Sequence, residues 1–310
     1  FFLKKTQGIS FIFNFNMKKF ILQIVKYSLI VIILLEIVVR MFSLVNDTPE
    51  RDIDQNGLQV FKKNQEGKSH GEKWRVNDSG FLGHNDINGE NQVLIIGDSF
   101  VENIMNPFDC RQSSFFKKDG FDVFEIGRSG VTFIEGLEFY NKYKSNVNPR
   151  KTIFIIDNSD LEESVWEIQE FKDRVQISLT HLTISESIIK YKYLKKILYN
   201  YKTLYFLYLK HLNHQKLNPR PKQVKYRSQK SRDLILKLID YSDENYDLEN
   251  VLFVFRGSND FKVNFDQKKI NFLELNLMGG DFKFSKSDSH WNCYGHKIAS
   301  EKILNYLNNL

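Results

Sequence analysis

Cysteine is scarce in this chain of 310 residues, with only Cys110 and Cys293 present. Two cysteines cannot build a disulfide-stapled scaffold or a four-cysteine zinc site. Paired histidine or cysteine spacings of the kind that bind metal do not recur either, so we expect no metal ion and no cofactor. Hydrophobic residues make up 42% of the chain and charged residues 26%, which excludes a disordered tail and a collagen-like fibre. The length suits one large domain or two small ones.

Acidic residues are missing from the stretch 188–232, which holds 13 lysines and arginines. Residues 1–45 hold six basic residues and one acidic residue, a net charge of +5. Because the whole chain carries +6, the remaining residues carry −12. A basic chain usually suggests nucleic acid as a partner. Here the net positive charge lies in two separate segments and the rest of the chain has a net negative charge, so we expect no nucleic-acid partner.

A long apolar run lies near the amino terminus, from Phe20 to Phe42, and a bilayer core needs about 20 helical residues. Lys26 lies near one end of the run, where its stem can reach the interface. Glu36 and Arg40 are four residues apart and can pair on one helical face. The alternative is a buried helix of a soluble core, but such a helix usually shows a polar face, and 29–35 is apolar on all sides. We therefore predict a transmembrane helix.

The lysines before this helix favour an amino end in the cytoplasm and a body outside it. No small-residue cleavage pattern follows and no cysteine lies there for a lipid anchor, so we predict an uncleaved signal anchor in the cell membrane. The sequence MKK at 17–19 is typical of a translation start, and we expect 1–16 to be an extension without a function. The predicted divisions are a cytoplasmic tail over 1–19, the anchor over 20–42 and an extracytoplasmic domain over 43–310.

Short apolar runs alternate with helical patterns through the body of the chain. Five runs are predicted as strands, at 91–96, 121–126, 152–156, 251–255 and 272–275. The helical patterns lie at 113–118, at 132–145, in several places within 161–237, and at 294–309. This alternation predicts a three-layer α/β/α fold with a mostly parallel central sheet. Ligands bind at the carboxyl ends of such strands, so the polar residues there are the candidates for a site.

Four polar segments are the candidates. They are Gly97-Asp98-Ser99-Phe100, Gly127-Arg128-Ser129-Gly130, Asp157-Asn158-Ser159-Asp160, and the segment from Asp288 to His296. A serine on a glycine turn can present its hydroxyl above the sheet, although ordinary turn chemistry explains the same residues. Asn158 can aim its side-chain amide at an oxyanion, and helix capping is the alternative role for its segment. Asp288 can orient the imidazole of His290, which then serves as general base for a serine.

Taken together and in this order, the four segments resemble the SGNH (GDSL) hydrolase family. GDSF at 97–100 and DSHWNCYGH at 288–296 match its first and last motifs specifically, while the two middle segments match loosely. NDSGFLG at 77–83 and the Glu36–Arg40 pair also resemble features of membrane-anchored bacterial members. The resemblance covers residues 75–310, with a fold of the SGNH or flavodoxin-like type.

The resemblance implies catalytic roles for three residues: Ser99 as nucleophile, His290 as general base, and Asp288 as the partner that orients His290. It also implies that the backbone amides of Ser99 and Gly127 donate hydrogen bonds to the oxyanion. The third donor in the family is an asparagine side chain, and the alignment leaves either Asn158 or Ser159 at that position. The second motif commonly has asparagine before its glycine, and this chain lacks it; Glu125 stands two residues before Gly127.

Three further residues near the motifs have open roles. His296 competes with His290 as the base, but Asp288 is the near neighbour of His290, and we expect His296 to have a capping or core role. In the family's topology Cys110 and Cys293 both lie near the site. A disulfide and two free thiols remain equally open for them.

A basic, tyrosine-rich helical insertion is predicted at about 161–250, centred on 188–212 and followed by the helix-breaking NPRP at 218–221. We expect its helix to bury an aromatic face on the sheet and to solvate its lysines. Docking onto anionic headgroups or an acidic glycan is the alternative, and stacking on nucleic acid is disfavoured.

The resemblance implies a membrane-tethered serine esterase or O-acyltransferase. We expect it to act on ester-linked acyl groups, acetyl above all, of a polysaccharide outside the cytoplasm, with the bilayer as the partner of its anchor. Acceptor access decides between hydrolysis and transfer. The alternative from another class is a non-catalytic protein that binds glycan or lipid on the same fold.

Overall fold

The computed structural model describes residues 3–83, 92–217 and 229–309, and for 3–16 and 213–217 the backbone alone. The chain divides into two compact units. We call 1–46 with 193–222 the helical unit, and 47–192 with 223–310 the α/β unit.

The described residues contain ten α-helices and thirteen strands. The helices are α1 Leu3–Met41, α2 Ser99–Glu102, α3 Gln112–Lys118, α4 Phe133–Val147, α5 Asn158–Glu163, α6 Lys192–Asn200, α7 Lys202–Leu217, α8 Gln229–Asn245, α9 Lys262–Gln267 and α10 Cys293–Asn308. The strands are β1 Arg51–Ile53, β2 Gln59–Phe61, β3 Glu66–Ser69, β4 Glu72–Arg75, β5 Val93–Gly97, β6 Val123–Gly127, β7 Lys151–Ile156, β8 Ile177–Ser178, β9 Thr183–Ile184, β10 Val251–Phe255, β11 Phe272–Glu274, β12 Lys283–Ser285 and β13 Asp288–Trp291.

Helix α1 contains the predicted anchor. Its stretch Met17–Met41 has 25 residues and a mean hydropathy of 2.3, and none of its most apolar window is buried. By length and composition this helix can cross a bilayer. The helix begins at Leu3, so most of the segment predicted as a separate tail continues the same helix.

Five parallel strands form the central sheet, in the order β11-β10-β7-β5-β6. All five predicted strands are therefore confirmed. Strands β5, β6 and β10 are buried on both faces, which explains why they read as continuous apolar runs. The chain passes from β5 to β6 on one side and then to β7 on the other, so the strand order reverses beside β5. This is where open α/β sheets bind ligands.

Helices cover both faces of the sheet and give the three predicted layers. Leu94 and Ile96 of β5 pack in one core with residues of α4 and α8. Val93 and Ile95 pack in a second core with residues of α3 and α10. Neighbouring side chains of a strand point to opposite faces, so one strand contributes to both cores.

The predicted insertion at about 161–250 is only partly an addition to the fold. Helix α8 belongs to the α/β unit and buries Ile235, Leu238 and Ile239 in the first core. By contrast, α6 has no buried residue, so the expectation of a buried aromatic face is wrong for this helix. The predicted break at 218–221 lies outside the described residues.

Four antiparallel hairpins were not predicted: β1–β2, β3–β4, β8–β9 and β12–β13. Their strands have two to four residues, too few to show the alternation of a half-buried strand.

Cys110 and Cys293 form a disulfide, 183 residues apart in sequence. Closing so long a loop restricts the unfolded chain, an effect typically worth about 2–4 kcal/mol. We expect the Cys110→Ala, Cys293→Ala double variant to lose a free energy of unfolding of that size, measured by urea denaturation of the full chain in detergent without reductant. Wild type treated with reductant is the control and should lose the same amount. A loss below about 0.5 kcal/mol in both would contradict the prediction.

Candidate active site

The turn after β5 places Ser99 at the carboxyl edge of the sheet. Asp98 is the N-cap of α2, and its carboxylate accepts the amide of Phe100 at 3.0 Å. Ser99 is thus the first residue of α2, where a backbone amide has no acceptor within the helix.

Two glycines let α2 lie directly against the strand ends. A Cβ on Gly97 would lie 2.6 Å from Cγ2 of Val101, and a Cβ on Gly127 would lie 2.3 Å from the amide nitrogen of Glu102. Gly97 also faces Gly127 across the β5–β6 pair. Any side chain at these two positions would push the helix that carries Ser99 away from the sheet.

The β12–β13 hairpin supplies the other two predicted catalytic residues. Nδ1 of His290 lies 2.5 Å from Oδ1 of Asp288, and the amide of His290 donates to the same oxygen at 3.0 Å. Nε2 of His290 lies 2.7 Å from Oγ of Ser99. The structure therefore brings Ser99, His290 and Asp288 into one hydrogen-bonded chain.

The carboxylate fixes the tautomer of the histidine. Burial alone would raise the pKa of Asp288, but the hydrogen bonds from the backbone and side chain of His290 outweigh it and lower that pKa. An ionised carboxylate only accepts hydrogen bonds, so Nδ1 carries the proton. Nε2 is left with a lone pair directed at the hydroxyl of Ser99, which is the arrangement a general base requires.

Aromatic packing holds the histidine loop in place. The ring of Phe100, next to Ser99 in sequence, lies 5.0 Å from the ring of His290 and 4.9 Å from that of Trp291. Trp291 is buried, and its indole donates to the carbonyl of Leu277 at 3.1 Å. The loop is thus packed against the residue that follows the serine.

Two buried asparagines connect the serine side of the site to the histidine side. Asn106 donates to the side-chain oxygen of Asn103 at 2.6 Å and to the carbonyl of Trp291 at 2.9 Å. Asn103 in turn donates to the carbonyl of Cys110 at 3.1 Å. The disulfide from Cys110 to Cys293 makes a second, covalent connection to the segment that follows the histidine.

His296 lies in the core, as expected. It is fully buried on α10, its Nδ1 lies 2.9 Å from Nε2 of Gln112, and its ring packs edge-on against Trp291. Burial lowers its pKa to about 3, and the nearby Arg111 and His290 contribute in the same direction. His296 is therefore neutral at physiological pH.

This buried histidine predicts a sensitivity to acid. The pKa of His296 is about 3 in the folded chain and 6.5 for the unperturbed side chain, so between these values the unfolded chain binds more protons. The free energy of unfolding must then fall as the pH falls, by about 1.4 kcal/mol per pH unit. We expect wild type to lose about 2 kcal/mol more than His296→Asn between pH 6.5 and 5, measured by denaturant titration. The matched control His181→Asn, at an exposed position, should follow wild type, and equal losses in all three proteins would contradict the prediction.

Besides Ser99, the predicted oxyanion residues lie at or just after the ends of strands β6 and β7, which flank β5 in the sheet. Gly127 ends β6 and packs against the backbone of α2. Asn158 begins α5 after β7, with its side-chain nitrogen donating to the carbonyl of Ser258 at 2.8 Å and its side-chain oxygen accepting from the amide of Asp260 at 3.2 Å. One N–H of this carboxamide thus binds the loop after β10. Ser159 is exposed in the first turn of α5.

Helix capping, the alternative role considered for the third segment, is present as well. Asp157 is the N-cap of α5, and the carboxylate of Asp160 accepts the amide of Asp157 at 2.7 Å, which completes a capping box. Burial, with the neighbouring Asp98 carboxylate, raises the pKa of Asp160 well above its usual value.

Arg256 brings a positive charge to the same edge of the sheet. It follows β10 and pairs with Asp157 at 3.1 Å, and its guanidinium lies 3.8 Å from the centroid of the Phe100 ring. Among the described residues, its buried Nε has no hydrogen-bond partner. Arg256 was not predicted as a site residue, because a single arginine after a strand is an ordinary feature of a sequence, and its partners lie far from it along the chain.

Glu125 forms a buried ion pair with Arg111. It lies 3.2 Å from Arg111, and both side chains are about 5% exposed. Arg111 also donates to the carbonyls of Leu82 and Glu102. The Arg111–Glu125 pair thus links the end of α2 to the segment 77–83, in which Asn77 accepts hydrogen bonds from the amides of Ser79 and Phe81.

The fold can be compared with solved structures. Similar ones include the carbohydrate acetylesterase Est24 from Sinorhizobium meliloti, with 10% identity, a TM-score of 0.37, and coverage of 71% of this chain and 99% of that chain. A GDSL-like lipase from Bacteroides thetaiotaomicron has 12% identity, a TM-score of 0.36 and coverage of 71% and 88%. A family 3 carbohydrate esterase from Clostridium thermocellum has 13% identity, a TM-score of 0.33 and coverage of 70% and 98%.

No protein-family model matches the sequence, and no curated protein matches it. Each of these TM-scores is below 0.5, so the similarity gives no information about the chemistry of the site. That chemistry rests on the side chains of this chain alone.

Proposed function

We propose that this protein is a membrane-tethered serine esterase or O-acyltransferase that acts on ester-linked acyl groups of a polysaccharide outside the cytoplasm. The observation that carries the proposal is the hydrogen-bonded chain from Ser99 through His290 to Asp288, with distances of 2.7 and 2.5 Å. A serine, a base and an orienting carboxylate at these distances define the machinery of acyl transfer.

The first half of the reaction forms an acyl-enzyme. Oγ of Ser99 attacks the ester carbonyl while Nε2 of His290 takes the hydroxyl proton, and Asp288 stabilises the imidazolium. The C–O bond of the ester breaks, and His290 returns the proton to the departing alcohol. In the second half, water or a sugar hydroxyl gives its proton to His290 and attacks the acyl carbon. The bond between the acyl carbon and Oγ then breaks, and His290 returns the proton to Oγ of Ser99.

The oxyanion would be held by three donors. The amide of Ser99 is the first of α2, the amide of Gly127 lies at the end of the neighbouring strand, and Asn158 offers the second N–H of its carboxamide. Removing one donor of this kind typically lowers kcat by about 10²–10³-fold.

The proposed tether is α1, which is apolar over Met17–Met41 and preceded by lysines. Its length suits a single span with the amino end in the cytoplasm. The side chains of His290 and Asp288 are 29% and 34% exposed, so the catalytic residues lie at the surface, where the end or a branch of a polymer can reach them. A disulfide also suits a domain outside the cytoplasm.

The proposal is tested with p-nitrophenyl esters and an O-acetylated polysaccharide, using the full chain in detergent. We expect turnover of the acetyl ester, with kcat/KM at least tenfold above that of the octanoyl ester, and release of acetate from the polysaccharide. A chain that turns over no ester and takes no label from a fluorophosphonate would instead be the non-catalytic glycan- or lipid-binding protein. Turnover that favours long acyl chains would contradict the acetyl preference.

A further inference from the structure

The two charged residues near the end of α1 contact the helices of the insertion. Glu36 accepts the amides of Lys202 and Thr203 at 3.0 and 2.8 Å, which are the first residues of α7. Arg40 donates to Glu36 at 2.7 Å and to the carbonyl of Asn200, the last residue of α6, at 2.6 Å. The pair therefore satisfies backbone groups that the ends of two other helices leave without intrahelical partners.

These contacts set the depth of the α6–α7 corner relative to α1. Glu36 and Arg40 lie five residues and one residue before the end of α1 at Met41, or about 7.5 and 1.5 Å along the axis. The polar headgroup layer of a bilayer is about 5–8 Å thick on each side. If α1 spans the bilayer, the corner where α6 meets α7 lies in or beside that layer.

The exposed surface of α6 has the composition of an interfacial helix. Tyr193, Leu194 and Ile197 lie on one helical face and are 84%, 54% and 49% exposed, while Lys195 and Lys196 lie on the opposite face. An apolar face with tyrosine, opposite a lysine face, is typical of helices that lie in the plane of a membrane surface.

Helix α7 extends this surface. Leu204, Leu207 and Tyr208 follow helical spacing and are 47%, 58% and 44% exposed. Neither helix contains an acidic residue, whereas both contain lysines. Leaving so much apolar side chain in water is unfavourable. Positive charge without negative charge complements anionic headgroups.

From these contacts and charges we infer that α6 and α7 form a platform that lies in the headgroup layer around α1, with the apolar side chains directed to the acyl chains and the lysines bound to lipid phosphates. This inference rests on the proposed tether. Lipid is favoured over a glycan or a protein because the two helices are hydrogen-bonded to the helix that would cross the bilayer.

The test places an environment-sensitive fluorophore on the full chain in vesicles of phosphatidylcholine with phosphatidylglycerol. Single labelling sites are Leu194→Cys and Leu207→Cys, with Asn305→Cys on an exposed position of α10 as the matched control. We expect lipids spin-labelled near the headgroup to quench the labels at 194 and 207 at least threefold more than the label at 305. Iodide in the aqueous phase should show the opposite order.

Quenching of all three labels by iodide to the same extent, in a chain that floats with the vesicles, would overturn the platform and leave the tether standing. Equal iodide quenching is the result expected if the natural partner of α6 and α7 is a soluble glycan or a protein. A chain that stays in the aqueous fraction during flotation would overturn the tether itself, and the platform with it.

The role of the lysines is tested separately with vesicles of phosphatidylcholine alone. Lipid quenching at 194 should then fall at least twofold, and the variant Lys195→Gln, Lys196→Gln should show no such difference between the two kinds of vesicle. If lipid quenching of the label at 194 is equal in the two kinds of vesicle when the lysines are present, the proposed binding of the lysines to anionic lipid is wrong.

Discussion

Replacing Ser99 with alanine is expected to lower kcat for p-nitrophenyl acetate by about 10³–10⁶, with little change in KM. The reason is that Oγ is the atom 2.7 Å from Nε2 of His290, and the variant leaves the histidine without a hydroxyl to deprotonate. The small side chain should not disturb α2, whose N-cap is Asp98. Initial rates with the full chain in detergent measure the effect, and fluorophosphonate labelling should disappear in the same variant.

The control for this experiment is Ser159→Ala, which removes an exposed hydroxyl from the first turn of α5, the helix after the neighbouring strand β7. It should keep its label and lose less than about threefold in kcat. Undiminished labelling of Ser99→Ala, or loss of label in Ser159→Ala alone, would show that another serine is the nucleophile.

Replacing Asp288 with asparagine is expected to lower kcat by about 10⁴. The asparagine carbonyl could still accept one hydrogen bond, but its NH₂ group can only donate. It can therefore stabilise the tautomer that carries its proton on Nε2, which cannot deprotonate Ser99. The stabilisation that an ionised carboxylate gives to the imidazolium would also be lost.

The matched control is Asp281→Asn, an exposed carboxylate in the turn before β12 whose backbone carbonyl, rather than its side chain, accepts from Asn292. This variant should retain wild-type kcat. A difference of less than tenfold between wild type and Asp288→Asn would mean that the carboxylate does not orient the base. Circular dichroism of each variant checks that the fold is intact.

Most of the central sheet could be predicted from sequence, because buried parallel strands are continuous apolar runs such as 93–96 and 251–255. The hairpins could not be predicted, since strands of two to four residues give no periodic pattern. The core helix α8 was assigned to the insertion because it contains lysines and follows a basic stretch, which is typical of an exposed helix. Its buried positions Ile235, Leu238 and Ile239 were therefore not recognised.

The proximity of Ser99, His290 and Asp288 was predicted from the GDSF and DSHW motifs. Their resemblance to one family indicated that two segments far apart in sequence meet in the fold, which composition alone could not indicate. The residues that support them were not anticipated. Asn106 and Arg256 act through contacts with partners far away in sequence, such as Trp291 and Asp157, and nothing in a single sequence marks such pairs. The contact of Glu36 with the start of α7 was missed for the same reason.

The separation of the serine from its base has a consequence in time. Ser99 precedes His290 by 191 positions, and ribosomes add about 5–20 residues per second, so the nucleophile is made about 10–40 s before the histidine. During that interval the turn that carries Ser99 can form, but the serine has no general base. The nascent chain therefore cannot cleave esters by the proposed mechanism. The docking of β12–β13 and the closing of the Cys110–Cys293 bridge can occur only after all five strands of the central sheet have been synthesised. The maturation of this site is therefore a step of biogenesis, tied to the arrival of a hairpin that adds no strand to the central sheet.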